Sequence, residues 1–464
     1  MSTKPVVTFN PANNEQLASY PSLDEAGING VLDTAVAVQR EWNKTPLTVR
    51  ATALRKLATI LRDEVEAHAT LISNEMGKPV SEARGEVLKC ATTCDYYADH
   101  LEEYLARKTV KTEAVRSFVS YEPLGVIFAV MPWNFPYWQV IRFAAPTLAA
   151  GNAGLLKHAS NVTGSALAIE SAIERAGFPK GLFTSLVVAD HSAVNRIVED
   201  PRVAAVTLTG SEKAGSMVAE AAGRALKKTV LELGGSDPFV VLNDANIEAI
   251  APFAVKARFI NTGQSCLCAK RFIVQDGVVA DFEGRIKTIV ENLVIGDPLD
   301  PKTQIGPLAK ASFVDEIDGQ VQASLAMGAR LVTGGHRIDG PGNYYAPTIL
   351  ADVTPDMPVF NQETFGPVLA LVSADTPANA IALANNSQYG LAASIWTANP
   401  ELGLELGAGI ASGALFINGV VASDPRLPFG GVKLSGYGRE LSIEGMHEFV
   451  NVRAVWIGDM PSVA

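Results

Sequence analysis

After a short Pro/Asn/Ser opening, the chain turns to helical periodicity. Between Thr48 and Glu75 the apolar residues Leu54, Leu57, Leu61 and Val65 recur at steps of three and four, and Gly77-Lys78-Pro79 supplies a stop, which predicts an amphipathic helix. A second such stripe runs through Val87, Cys90, Cys94, Tyr97 and Leu101. Near residue 108 the texture changes. KTVKTEAVRSFVSYEPLG mixes polar and apolar positions in partial alternation, which predicts an extended hairpin or arm.

From 125 to 243, short apolar runs at Val126 to Val130, Gly154 to Leu156, Leu186 to Val188 and Val203 to Leu208 alternate with Ala-rich, helix-length stretches beginning near Val162, Ser192 and Ser211. Unbroken apolar runs suit strands covered on both faces, so the expected fold is α/β with a mostly parallel, doubly wound sheet. A second α/β region follows to about residue 448, with strands expected at Arg271 to Val274, Val368 to Val372, Ala392 to Trp396 and Leu415 to Ile417. Phe449 to Ile457 reads as one more strand.

Length and composition narrow the class. At ~150 residues per domain, 464 residues suggest about three parts. With 48% hydrophobic and 19% charged residues the chain is an ordinary globular one. A net charge of -11 argues against a nucleic acid or an anionic membrane as the main partner. The N-terminus lacks a signal-peptide pattern, and no apolar run approaches the ~18 to 20 residues that span a bilayer. The four cysteines fall in two close pairs, too few for a disulfide framework, so a reducing compartment, the cytoplasm, is expected. Cys90 and Cys94 read as core thiols on the helical stripe, and no His/Cys spacing completes a metal site.

Four segments carry candidate chemistry. In Asn261-Thr262-Gly263-Gln264-Ser265-Cys266, a cysteine in a polar, Gly-containing stretch is either a nucleophile or an inert buried thiol. Glu232 interrupts an apolar run ended by Gly234-Gly235; such a carboxylate is paired, solvent-facing, or an acid/base with a raised pKa. Asn134, between Pro132 and Pro136 after a strand, is either a turn residue or an oxyanion donor. Thr209-Gly210-Ser211 ends a strand and opens a helix, where backbone N–H groups favour a phosphate.

Taken together, PWNFP (132 to 136), the Lys157 segment, TGS (209 to 211), LELGG (231 to 235), GQSCLC (263 to 268), QETFGP (362 to 367) and PFGGVKLSGYGRE (428 to 440) resemble the aldehyde dehydrogenase superfamily along essentially the whole chain. Within it, the WNFPYWQVIRFAAP and LLKHASN segments are similar to those of short bacterial succinate-semialdehyde dehydrogenases. The resemblance implies a Rossmann-like cofactor domain (1–107 and 123–235), an α/β catalytic domain (236–448) and a β oligomerisation arm (108–122 and 449–464). A homodimer or tetramer is implied with it. Compared with longer members, the chain starts near NPANNEQ, roughly one or two strands later.

By the same resemblance, Cys266 is the nucleophile that forms a thiohemiacetal and, after hydride transfer to a nicotinamide, a thioester. Asn134 and the Cys266 N–H hold the oxyanion, and Glu232 activates the hydrolytic water. The implied cofactor contacts are Trp133, Lys157, Ser160, Gly210, Ser211, Glu363 and Phe365. Ser160 stands where many NAD-preferring members carry a glutamate, which implies NADP as the preferred cofactor with NAD also usable. For a semialdehyde substrate, Trp138 and Arg142 lie one and two helical turns beyond Asn134, so they are expected to line its channel, with Ser423 adding a hydrogen bond and Arg426 as an alternative to Arg142. Cys268 is a possible redox partner of Cys266, or simply a small core residue. The runner-up substrates are glutarate semialdehyde and medium-chain neutral aldehydes. A cysteine hydrolase would need a histidine base near Cys266, and the six histidines offer no recognisable partner motif.

Overall fold

A computed structural model describes residues 4–190 and 192–460. Its centre is a six-stranded sheet in the order Gly436–Tyr437, Lys228–Glu232, Val203–Thr209, Val126–Met131, Ala153–His158, Phe183–Ser185. All neighbours are parallel except the Gly436 edge strand. From Val126–Met131 the chain first builds outward through Ala153–His158 to Phe183–Ser185. It then returns to the other side of its starting strand with Val203–Thr209. The strand order therefore reverses between Val126–Met131 and Val203–Thr209, and a crevice opens at the carboxyl ends of such a pair. Trp133 and Asn134 leave one of those ends, and Gly210 and Ser211 the other.

After Glu232 the chain passes through Leu233-Gly234-Gly235-Ser236 into a seven-stranded sheet containing Asp237–Val241, Ala269–Gln275, Val368–Ala374, Ala392–Trp396 and Ala414–Ile417. Phe239, Phe272 and Leu371 pack on one face of it, Val240, Ile273 and Val372 on the other, as alternation requires of a sheet buried on both sides. A third, antiparallel sheet pairs Val450–Ile457 with Arg116–Pro123, which in turn pairs with Lys108–Thr109. The expected extended arm and tail strand are thus one structure. No helix among the described residues is long and apolar enough to cross a membrane.

Two expectations shift. The stripe from Thr48 to Glu75 forms two helices, Leu47–Asp63 and Val65–Met76, because Glu64 leaves helical geometry (φ −105°, ψ 18°). Gly77 caps the second in the left-handed conformation at φ 81°, so the glycine stop falls where expected. The strand expected at Leu186 to Val188 is instead Phe183–Ser185. Its register is set by pairing with Gly154 to Leu156, while Leu186 to Val188 follow it as irregular chain.

The Cys90 and Cys94 stripe lies on the helix Val80–Tyr104, with both thiols fully buried and free. Burial raises both above the ordinary thiol range. Both should therefore resist a disulfide-exchange reagent such as DTNB in the native protein and react only on denaturation. Prompt native-state reaction, scored against Cys90→Ala and Cys94→Ala, would show that this helix opens.

Candidate active site

Cys266 is presented by a backbone turn that few sequences tolerate. Asn261 (φ 53°) and Thr262 (φ 56°) are both left-handed, and Gly263 continues at φ 76°. A side chain on Gly263 would meet the Gly366 carbonyl at 2.2 Å, so glycine is required there on two counts. The turn is anchored on every side. Glu82 accepts the Asn261 N–H (2.6 Å), and the Asn261 amide donates to the Asn134 carbonyl (2.8 Å). Gly306 N–H donates to Thr262 Oγ1 (3.0 Å), and Ala309 N–H to Gln264 Oε1 (3.0 Å). Gly235 lets the crossing between sheets pass beside the thiol, since a Cβ there would sit 2.6 Å from the Cys266 carbonyl.

Two cavities meet at Cys266 and Gln139. One, of about 310 Å³, is lined by Trp133, Asn134, Gly210, Ser211, Glu363 and Phe365 among others. The second, of about 500 Å³, is lined by Trp138, Arg142, Ser423 and Lys89 with apolar Phe135, Ile260 and Leu267. Trp138, Arg142 and Ser423 therefore share one chamber with the thiol, whereas Asn134 faces the other.

Around the first cavity, Trp133 stacks on Phe313 (4.9 Å between centroids) and meets Phe365 edge-on (5.7 Å). Ser211 caps the 13-residue helix Glu212–Arg224, accepting from Ala214 N–H, so the helix N-terminus faces the cavity. Glu363 accepts the Gly235 N–H (3.0 Å) and lies 3.4 Å from Lys270, which also donates to the Cys266 carbonyl (2.9 Å). Lys157 and Ser160 lie beyond these lining residues, at the end of the neighbouring strand and just after it. Lys157 is buried near Lys310, and neither ammonium has an ion-pair partner among the described residues.

At the thiol, Asn134 Nδ2 donates to the Gln264 carbonyl (3.1 Å) and keeps a second N–H; the Cys266 amide N–H has no acceptor among the described residues. Both are available to an oxyanion. Burial pushes the Cys266 thiol up to about 12, with Lys270 and Arg142 only partly opposing. The thiol thus rests protonated. Cys268 is also free, buried, and directs its Sγ to the Ile260 carbonyl (3.7 Å).

Glu232 ends its strand with both carboxyl oxygens buried and without a hydrogen bond. Burial first, then the neighbouring Glu440, hold it well above the usual carboxylate range. It does not line either cavity; a Cβ on Gly430 would sit 2.8 Å from its Oε1. Arg142 forms a buried ion pair with Glu440, donates to Thr209 Oγ1 (3.3 Å) and lies 4.7 Å from the Phe429 ring. Arg426, the alternative, is exposed and paired with Asp424 (2.6 Å), outside the chamber.

Gln139, Phe313, Lys310 and a charged row on one helix, Glu82, Glu86 and Lys89, went unrecognised in the sequence. The row's available signal was charge in register with the apolar stripe of Val87 and Cys90.

A doubly wound sheet faces a thiol-bearing loop of a second α/β sheet across a cavity at the switch point, the arrangement of a dinucleotide-dependent enzyme. The Aldehyde dehydrogenase family model matches residues 1–455, and the chain belongs to that family. It is 50% identical over 97% of its length to a probable NADP(+) succinate-semialdehyde dehydrogenase of Synechocystis sp., 99% of which is covered. It is 46% identical to the NAD(P)+ succinate semialdehyde dehydrogenase Sad of Escherichia coli K12, covering 97% of each. The succinic semialdehyde dehydrogenase of Streptococcus pyogenes, solved with NADP+, superposes with a TM-score of 0.95 at 40% identity, over 98% of this chain and 100% of that one.

Two outcomes follow from this geometry. With a thiol pKa raised far above neutrality, the thiolate fraction is small at pH 7 and grows with pH. Iodoacetamide alkylation of the cofactor-free protein at Cys266 should rise about tenfold per pH unit from pH 7 to 9, with Cys266→Ala as blank, and a plateau below pH 8 would contradict the assignment. Arg142→Ala leaves Glu440 buried without its guanidinium beside Glu232, and should cost about 3 to 5 kcal/mol in urea unfolding, partly recovered in Arg142→Ala/Glu440→Gln.

Proposed function

We propose that the protein oxidises succinate semialdehyde to succinate, with NADP preferred and NAD accepted. The observation that carries this reading is the position of Cys266 where two chambers meet, one suited to a dinucleotide and the other bearing cations for a carboxylate. The relatives named for this substrate, at 46 and 50% identity over nearly the whole chain, support it.

The first chamber fits a nicotinamide dinucleotide. It has a helix N-terminus at a sheet's switch point, an aromatic wall and Glu363 for a ribose, while just beyond its lining the buried Lys157 and the exposed Lys310 are neighbouring ammonium groups with no ion-pair partner among the described residues. An anion such as a 2′-phosphate satisfies that pair, and Ser160 leaves room for it. When bound, the nicotinamide supplies the acceptor for the aldehyde's hydride.

The chain's own residues do the rest. Cys266, once deprotonated, adds to the aldehyde carbon, and Asn134 Nδ2 with the Cys266 N–H receives the oxyanion. With the acyl group held as a Cys266 thioester, Glu232 takes a proton from the attacking water. It lines neither chamber at rest, so it acts after a side-chain rotation, and its raised pKa means that it must give up its own proton before it can take one from water. Trp138, Arg142 and Ser423 line the far end of the semialdehyde's path. Cys268 is a candidate disulfide partner of Cys266 under oxidation.

We further place the enzyme in the cytoplasm as a homodimer or tetramer. The free edge of Val450–Ile457, with Val452 and Trp456 exposed, would extend a neighbour's sheet.

A cofactor-reduction assay on succinate semialdehyde, glutarate semialdehyde and hexanal, with NADP and NAD, tests the proposal. The expected order of kcat/KM is succinate semialdehyde first and NADP over NAD, with Cys266→Ala inactive on all three. Preference for hexanal would overturn the substrate, and full activity of Cys266→Ala the mechanism.

A further inference from the structure

The aldehyde-side chamber takes three charged side chains from one helix, Glu82, Glu86 and Lys89, and two of them are already committed. Glu82 holds the Asn261 N–H. Glu86 accepts the N–H groups of Tyr137 (2.8 Å) and Trp138 (2.9 Å), capping the helix that carries Trp138 and Arg142, and pairs with buried Lys78. Arg142 is committed as well, its charge matched by Glu440.

Lys89 differs. Its half-buried ammonium lies 4.0 Å from the centroid of the Trp138 ring and donates to Ser423 Oγ (2.7 Å), but it forms no ion pair among the described residues. An ammonium has three donors, and the Ser423 hydroxyl, accepting from Lys89, keeps its own hydrogen to give. Lysine and serine thus offer convergent donors to one anion, at the wall of the chamber that holds the thiol.

We infer that Lys89, rather than Arg142, is the cation that holds the far carboxylate of a dicarboxylic semialdehyde, together with Ser423, and that it sets the preference for such substrates over neutral aldehydes. This rests on the substrate reading proposed above. Arg142, neutralised by Glu440, shapes the chamber and keeps a carboxylate pair buried; Lys89 supplies the net charge.

The surroundings of Lys89 add a pH dependence. Burial first, then the charge of Arg142 on the next helix, bring Lys89 down to about 8, while Cys90 and Glu86 on its own helix and Asp424 on the facing loop act in the opposite sense. Glu82, Lys256 and Cys266 are the remaining titratable groups of the chamber, and Arg426 pairs with Asp424. The positive charge is therefore present below about pH 8 and lost above it, with a bound carboxylate moving the transition upward.

The test is initial-rate kinetics of the whole enzyme on succinate semialdehyde and hexanal from pH 7 to 9.5, for wild type, Lys89→Met and Lys89→Arg. Lys89→Met is expected to raise KM for the semialdehyde about 10- to 100-fold, the size of a charge-assisted hydrogen bond, while hexanal changes less than about twofold. Lys89→Arg should recover part of the loss. In wild type the ratio of kcat/KM for the two substrates should fall above about pH 8, because thiol ionisation affects both alike and cancels. An unchanged semialdehyde KM in Lys89→Met, or equal losses on both substrates, overturns the assignment. Should Lys89→Met not fold, a wild-type ratio flat with pH overturns it equally. A wild type that prefers hexanal at every pH overturns the substrate reading and the inference with it; one that prefers the semialdehyde, with Lys89→Met of unchanged preference, overturns the Lys89 assignment alone.

Discussion

The left-handed turn at Asn261–Gly263 is the constraint on which the site depends. Left-handed geometry costs a non-glycine residue of order 1 kcal/mol or more, and two such residues in succession persist only where the surroundings over-determine them. Here they do. The turn is held by a carboxylate from the N-terminal helices (Glu82), by a mutual link with the loop after the central strand (Asn134), and by backbone from the second sheet's connections (Gly306, Ala309, Gly366). Three parts of the chain distant in sequence converge on one loop, so the thiol's position relative to Asn134 is a property of the whole fold. The two glycines after Glu232 belong to the same arrangement, since the crossing between the sheets must pass within contact of the Cys266 carbonyl.

The second organising feature is charge kept out of water. Glu232, Glu440 and Arg142 form a buried cluster with one guanidinium for two carboxyls. Two carboxylates cannot both remain ionised cheaply there, so at least one is driven towards its neutral form, which is consistent with the raised pKa of both. The cluster links the end of the strand Lys228–Glu232, the helix Trp138–Ala149 and the PFGGVKLSGYGRE segment. Phe429 and Glu440 of that segment pair through backbone hydrogen bonds (2.7 Å each way), so the stretch that flanks the Glu440 carboxylate also lays Phe429 against Arg142. The same segment closes the first sheet, where Gly436 pairs with Glu232.

Local patterns carried much of this. The parallel strands were legible because strands covered on both faces need unbroken apolar runs, and Ala392–Trp396 falls where its run does. Trp138 and Arg142 were legible as a pair because helical spacing decides which side chains share a face. What was not legible required partners far away in sequence. The edge strand Phe183–Ser185 sits in LFTSLVV, where either half is apolar enough, and pairing with Gly154 to Leu156 alone chooses between them. Arg142 reads as a free cation until Glu440, some three hundred residues later, is placed against it. The row of Glu82, Glu86 and Lys89 hid in plain sight, because charged residues in register with an apolar stripe look like errors of periodicity until a cavity is found beside them.

The net charge of -11 loses its meaning for substrate choice once distances are considered. Surface carboxylates act through water and salt, with a Debye length of about 8 Å at physiological ionic strength, and many here are paired with surface arginines such as Arg202, Arg330 and Arg337. Inside the chamber, apolar walls lower the effective dielectric. A unit charge about 4 Å from an anion is then worth about 4 kcal/mol at an effective dielectric of 20, against about 1 kcal/mol in bulk water. One ammonium without a counter-charge therefore outweighs a diffuse acidic surface. The decisive electrostatic quantity is the count of cations left over after the buried carboxylates have taken theirs. By that count Arg142 is spent on Glu440 and Lys78 on Glu86, and Lys256, exposed to solvent, acts on Glu82, which leaves the half-buried Lys89 beside Ser423 to meet an anion.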